Sequence, residues 1–220
     1  TDDYAFGHSL EKDASAVVTR NGGKVLGAVR PPFATPDLSS FILQAQASKA
    51  KVIGLANAGG DTINAIKQAA EFGIVAGGQN LAGIVMFISD IHSLGLKLAQ
   101  GLIITEAYYW DLNDRTRAFN ERIRPKTPEL WPNMANAGVY AQTLHYLKAV
   151  ADMGLPQAKA DGAALVARMK AMPTDDDAFG PGRIREDGRK LHPAYLMQAK
   201  TPAESRGRYD VLKLLDTVPP

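Results

Sequence analysis

The sequence predicts an α/β protein built on a mainly parallel sheet with helices on both sides. Three observations carry that expectation. Through the first half of the chain, short extended segments alternate with helical ones at a spacing of roughly 25–30 residues. The longest extended segment, Leu81 to Ser89, is apolar almost throughout, as expected of a strand buried on both faces. The breaks between segments are short and rich in Gly and Pro.

Taken in order, Leu10, Ala14, Val17 and Val18 recur at helical spacing, and Asn21-Gly22-Gly23 supplies a left-handed stop. Lys24 to Val29 reads as a short strand ended by Pro31-Pro32, because proline cannot donate to a ladder. Thr35-Pro36 reads as an N-cap with proline at the first helical position, followed by Leu38, Phe41, Ile42 and Ala45 on one stripe. Val52 to Leu55 is a strand, and Gly59-Gly60-Asp61-Thr62 turns it into a helix carrying Ile63, Ile66 and Ala70. A short helix near Ser93 to Gln100 leads to a strand over Gly101 to Tyr108.

After Trp110 the texture changes. Asp111 to Ile123 reads as a polar helix, and a loop interrupted by prolines runs from Arg124 to Asn133. Ala135 to Met153 is a long helix with Val139, Tyr140, Thr143, Leu144, Leu147 and Val150 on one stripe, stopped by Gly154. Asp161 to Met172 is another helix. From Ile184 to Lys200 the pattern is a hairpin around Glu186-Asp187-Gly188-Arg189, with Tyr195 to Gln198 as its second strand, and Tyr209 to Leu215 closes the chain with a short extended or helical piece.

Composition narrows the function. The 220 residues are 45% hydrophobic and 22% charged, which is ordinary globular usage. A net charge of +2 is too small a bias to hold nucleic acid or an anionic membrane. The absence of Cys removes thiolate metal sites and Cys nucleophiles. No stretch of about 18 apolar residues spans a bilayer. The chain opens at Thr1-Asp2-Asp3-Tyr4 with no initiator Met and no signal peptide, which leaves either a processed start or a piece of a longer chain.

Catalytic signatures are absent: no G-x-S-x-G elbow, P-loop, H-E-x-x-H or G-x-G-x-x-G follows any strand. His145 lies inside a helical pattern and reads as a packing or surface residue. Asp175-Asp176-Asp177 reads as a solvated turn rather than a metal loop. What remains is a set of loops at strand ends, where open α/β sheets bind ligands. Tyr4 to His8 offers two aromatics, Tyr4 and Phe6, at a helix N-terminus. Asn57 to Asp61 offers an amide and the bare backbone of Gly59 and Gly60 at another, suited to a carboxylate. Ser89 to His92 offers the Asp90 carboxylate and the His92 imidazole. Ordinary βα turns also favour Gly, Asp and Ser, so any one loop admits that plainer reading, and only their conjunction favours a ligand. Tyr108-Tyr109-Trp110 adds an aromatic cluster, half of it core.

Several of these stretches together resemble one family. They are Asp3-Tyr4-Ala5-Phe6-Gly7, the run from Val52 through Asn57-Ala58-Gly59-Gly60 to Asp61, Gly101 through Tyr108-Tyr109-Trp110 to Asp111, and Gly182 to Arg189 followed by Tyr195-Leu196-Met197. The family is the type I periplasmic substrate-binding proteins of ABC transporters, branched-chain amino acid (Leu/Ile/Val) class, in its branch associated with aromatic acids. The resemblance implies two Rossmann-like lobes with parallel sheets flanked by helices, joined by three crossings and closing on a solute. It places residues 1–110 in the C-terminal lobe, 111–193 in the returning part of the N-terminal lobe and 194–220 back in the C-terminal lobe. The N-terminal lobe is then incomplete, because the family's first segment has no counterpart here.

Position by position, the resemblance implies that Tyr4 and Phe6 form an aromatic wall, and that Asn57 and Gly59 face the ligand. It puts Asp90 near the acidic group that meets an ammonium, with His92 beside it, Trp110 at the hinge, and Met134 and Asn136 at the start of a cleft-facing helix. It implies a small amino acid or aromatic acid as the solute and a membrane permease as the partner. It further implies a periplasmic location, a monomer when complete, and neither cofactor, metal nor bond-making chemistry. A sensor domain of the same fold, and a small α/β enzyme working at Asp90 and His92, are the alternatives.

Overall fold

In the computed structural model, which describes residues 1–220, the alternation read from the sequence becomes a five-stranded sheet with helices between its strands. Helix α1 (Ala5–Arg20) ends at Asn21, with Gly22 left-handed at φ 78°. Residues 24–30 then run extended but belong to no strand. The Thr1 amino group bonds the Val29 carbonyl and the Asp3 N–H bonds the Pro31 carbonyl, but these two bonds at the segment's end do not extend into the expected strand. Helix α2 (Ser39–Ala47) starts later than Thr35-Pro36 suggested. The Pro36 carbonyl is drawn instead to the side-chain amides of Asn64 and Gln68, and the Asp37 carboxylate takes the Ser39 N–H.

Strand β1 (Val52–Leu55), helix α3 (Gly59–Glu71) and strand β2 (Asn80–Gly83) follow. β2 is shorter than the apolar run because the chain turns after Gly83. A Cβ at Gly83 would lie 2.3 Å from Met86 Sδ, so glycine lets the fully buried Met86 fold back over the strand end. The Asp90 carboxylate accepts the Phe87 N–H at 2.8 Å and starts helix α4 (Ile88–Leu94), so Ile88 and Ser89 become helical. After α5 (Leu96–Ala99), β3 (Ile103–Glu106) completes three parallel neighbours, with Ile53 opposite Leu81 and Ala82 opposite Ile103.

Helices α6 (Asp114–Ile123), α7 (Met134–Met153), α8 (Leu155–Ala160) and α9 (Gly162–Ala171) come next. The hairpin turn expected at 186–189 pairs β4 (Arg183–Ile184) with β5 (Lys190–Leu191). Tyr195 belongs instead to β6 (Ala194–Ala199), which joins the main sheet in the order β1-β2-β3-β6-β7, with β7 at Leu212–Val218.

The chain forms two compact units, Thr1–Thr105 with Leu196–Leu215, and Glu106–Tyr195 with Asp216–Pro220. It passes from one to the other within or beside β3, β6 and β7. In the first unit α3 and α4 bury Ala65, Ile66, Ala69 and Ile91, and the sheet buries Ile104 and Met197. In the second, Tyr108, Phe119, Ala137 and Ala178 form one core, and Ala149, Ala158 and Leu165 another. Here the helix face differs from the apolar stripe. α7 buries Ala137, Ala141, His145 and Ala149, while Val139 and Leu147 are more than half exposed. Small residues on this face let neighbours approach closely: Ala137 packs in the core with Tyr108 and Phe119, Ala149 packs with Leu165 of α9, and the His145 imidazole fits beside α9 by bonding the Met169 carbonyl at 2.8 Å. No helix is long and apolar enough to cross a membrane.

Candidate functional site

The first unit gathers its loops at the carboxyl end of β1. Asp2 N–H bonds the Ala56 carbonyl at 3.1 Å, which lays the chain's opening beside the exit from that strand. Two helices begin there, α1 after Tyr4 and α3 after Ala58, and neither receives a side-chain cap. Tyrosine and alanine cannot supply one, which forgoes about 1 kcal/mol per helix. In the second unit α6, α7 and α9 are capped, Asn113 accepting from Thr116, Asn133 from Ala135 and Asn136, and Asp161 from Ala164, while the short α8 starts at Gly154 without a side-chain cap. Among the helices without a side-chain cap, α1 and α3 are the two that begin at this corner.

Aromatic rings lie beside them. Tyr4 stacks on Phe6 at 5.9 Å between centroids and meets Phe33 edge-on at 5.1 Å, and all three rings are exposed. Asn57 is buried, and its carboxamide oxygen accepts the Thr62 hydroxyl at 2.6 Å, which turns the NH2 end away from Thr62. Gly59 is exposed and left-handed at φ 56°, a conformation that carries the chain from β1 into α3 without strain. Beneath this corner Asp2 is buried against Asp61, and burial first, then the neighbouring carboxylate, raises its pKa.

Asp90 and His92 lie on α4 rather than on a strand-end loop. Asp90 is buried in the first turn with Oδ2 engaged by Phe87, and burial raises its pKa against the pull of that bond. His92 stands edge-on to Tyr209 at 4.9 Å, and burial followed by the Arg208 charge lowers its pKa, favouring the neutral imidazole.

The remaining expected residues are in the second unit. Trp110 meets Trp131 edge-on at 4.8 Å, and Met134 Sδ accepts the Ala107 N–H at 3.4 Å. Asn136 closes the α7 capping box by accepting the Asn133 N–H at 3.1 Å. With Phe119, Leu130, Pro132 and Tyr140 it lines an apolar groove of about 620 Å³. The Asp175-Asp176-Asp177 turn is more than a solvated run. Asp176 is buried, accepts the N–H groups of Ala178 and Phe179, and pairs with Lys190, while Arg115 and Arg122 hold Asp175 and Asp177. No cluster of acidic or histidine side chains forms a metal site. Phe33 and Trp131 escaped sequence reasoning because each sits in a Pro-flanked loop outside any periodic pattern. The one available signal was a large aromatic in a loop.

A parallel sheet with open helix starts and exposed rings at its carboxyl end has the architecture of a small-molecule binder. The comparisons make this specific: the model of the periplasmic binding protein family matches residues 1–207, and the chain belongs to that family. The crystal structure of a periplasmic binding protein from Burkholderia mallei is 46% identical, with a TM-score of 0.89 over 100% of this chain and 56% of that one. A branched chain amino acid ABC transporter periplasmic ligand-binding protein from Burkholderia xenovorans is 36% identical, with a TM-score of 0.86 over 100% of this chain and 57% of that one. An ABC transporter solute-binding protein from R. palustris in complex with 4-hydroxybenzoate shares the fold at 22% identity and a TM-score of 0.83, over 99% of this chain and 58% of that one. The chain therefore spans a little over half the length of these solved relatives. No curated protein matches it.

Proposed function

We propose that this chain is part of a periplasmic solute receptor that captures a small amino acid or aromatic carboxylate and presents it to an ABC permease. The observation that carries the reading is the corner of the first unit, where two uncapped helix starts and three exposed rings lie together at the end of a parallel sheet. A carboxylate would be met by the N–H groups at the starts of α1 and α3, and an apolar portion by Tyr4 and Phe6. In this reading Asn57 and Gly59 complete the polar side, and Asp90 offers a buried negative charge to an ammonium with His92 beside it. Trp110, Met134 and Asn136 are the candidate ligand residues carried by the second unit. The first unit corresponds to most of the C-terminal lobe, and the second to the returning part of the N-terminal lobe. No bond is made or broken; the ligand shifts a population between open and closed states. The receptor is monomeric when complete.

Thermal-shift titration with leucine, isoleucine, valine, benzoates and cinnamates tests the reading. A saturable rise in Tm with one of these classes is expected, because a ligand that binds only the folded chain stabilises it by mass action. Turnover of any of them, or no shift with all of them, would overturn it.

A further inference from the structure

Phe33 is the most exposed large apolar side chain in the molecule, at 64% of its full surface, yet the loop that carries it is fastened on every side. Pro31, just before it, is buried, and its carbonyl accepts the Asp3 N–H at 3.0 Å. The Pro32 carbonyl accepts both the N–H and the hydroxyl of Thr35, the latter at 2.6 Å. On the far side the Pro36 carbonyl takes the Asn64 and Gln68 amides at 2.8 and 3.0 Å. Directly after Phe33, Ala34 is left-handed at φ 59°, a region that disfavours a side chain. Its N–H is held there by the Asp61 carboxylate at 3.0 Å, in the first turn of α3.

A loop whose only task was to connect would shed that strain and fold its phenylalanine inward. This one is braced so that the ring stays in solvent, at a right place to extend the face of Tyr4 and Phe6. Strained backbone that persists under such bracing is characteristic of ligand clamps. Exposed rings already in mutual contact mark a surface that expects an apolar partner. The Tyr4–Phe6 and Tyr4–Phe33 geometries, one stacked and one edge-on, leave ring faces and edges for a further ring to continue the same pattern.

We propose that Phe33 is a specificity-determining residue: together with Tyr4 and Phe6 it packs against the aromatic ring of the solute and favours a ring-bearing carboxylate over a branched aliphatic amino acid. This rests on the solute-receptor reading above. Asp61 acts through the loop as a positioning residue, since its carboxylate fixes Ala34 and so the direction of the ring.

The test is isothermal titration of the full chain with benzoate and with leucine, for the wild type, Phe33→Ala and Phe33→Leu. Phe33 buries little of itself, so both variants keep the wild-type melting temperature, which circular dichroism checks. The expected result is a loss of about 10-fold in benzoate affinity for Phe33→Ala, with Phe33→Leu recovering only part of it, because the ring interaction exceeds simple area burial. Leucine affinity should change by less than about 3-fold. Unchanged benzoate binding in both variants overturns the role of Phe33 and leaves the receptor reading standing. Equal losses for benzoate and leucine, or benzoate affinity fully retained by Phe33→Leu, overturn the ring preference alone. Binding of neither solute by the wild type overturns the receptor reading and this inference with it.

Discussion

Gly7 and Gly138 offer a paired test of how this fold uses glycine, since the same substitution is predicted to act with opposite sign at the two positions. Gly7 sits buried in the first turn of α1, where an added Cβ would come 2.1 Å from the Asp2 carbonyl oxygen and 2.9 Å from two further Asp2 backbone atoms. Ordinary contact would require that carbonyl to retreat by more than about 1 Å. It is not free to do so, because the Asp2 N–H is held by Ala56 at 3.1 Å and its carbonyl accepts the Tyr4 N–H at 2.8 Å. Gly7→Ala should therefore cost about 3 kcal/mol, at the upper end of overpacking effects, and lower Tm on the order of 10 °C. Gly138 lies inside α7 with nothing within 4 Å of its would-be Cβ and no left-handed torsion. Gly138→Ala should stabilise by up to about 1 kcal/mol through helix propensity. Urea unfolding followed by far-ultraviolet circular dichroism reads both variants. Tryptophan fluorescence adds a local probe, since both tryptophans, Trp110 and Trp131, lie in the second unit. A Gly7→Ala protein within about 0.5 kcal/mol of wild type would refute the packing argument.

Two carboxylates make predictions of opposite sense in pH. Burial works upward on Asp210, but the hydrogen bonds it receives from Lys200 and Arg206 hold its pKa at about 2 against an ordinary 3.8. Its contribution, on the order of 2 kcal/mol, is present above the ordinary value and lost as pH falls toward the depressed one. Asp210→Asn should lower stability at neutral pH and flatten the acid limb of a urea-unfolding series; an unchanged limb would refute this. Asp90 is the reverse, its pKa raised by burial, so folding favours the neutral acid and that advantage is lost as pH rises through the folded value. Asp90→Asn keeps an acceptor for the Phe87 N–H, and should match wild type in acid while being more stable than wild type at pH 7. A loss of stability at pH 7 in the same unfolding assay would count against that account.

Local chemistry was legible wherever the chain speaks to its near neighbours. The stop of α1 at Asn21-Gly22, the turn at Gly59-Gly60 into α3, and the Glu186–Arg189 turn that joins β4 to β5 all follow from backbone preferences within a few residues. The apolar run from Leu81 marked a buried strand, but its length was hidden. The turn after Gly83 depends on Met86 folding back and on Asp90 reaching Phe87, both choices of side-chain placement that a run of apolar letters does not carry. Lys24 to Val29 has the composition of a strand, yet a strand exists only when another chain segment supplies its hydrogen bonds.

The sequence by itself determined the α/β class, the alternation of elements, the aromatic and glycine loops at the strand ends and, through its motifs, the family. Those follow from periodicity, from turn residues and from side chains whose role is set within one loop. Only the tertiary structure decided which side of α7 is buried, because small residues such as Ala137 and Ala149 are silent in a hydrophobic pattern until Phe119 and Tyr108 pack on the one and α9 on the other. It alone brought Phe33 beside Tyr4 and Phe6, twenty-seven and more residues away along the chain. That meeting depends on a carbonyl at Pro36 and a carboxylate at Asp61 holding one strained alanine in place.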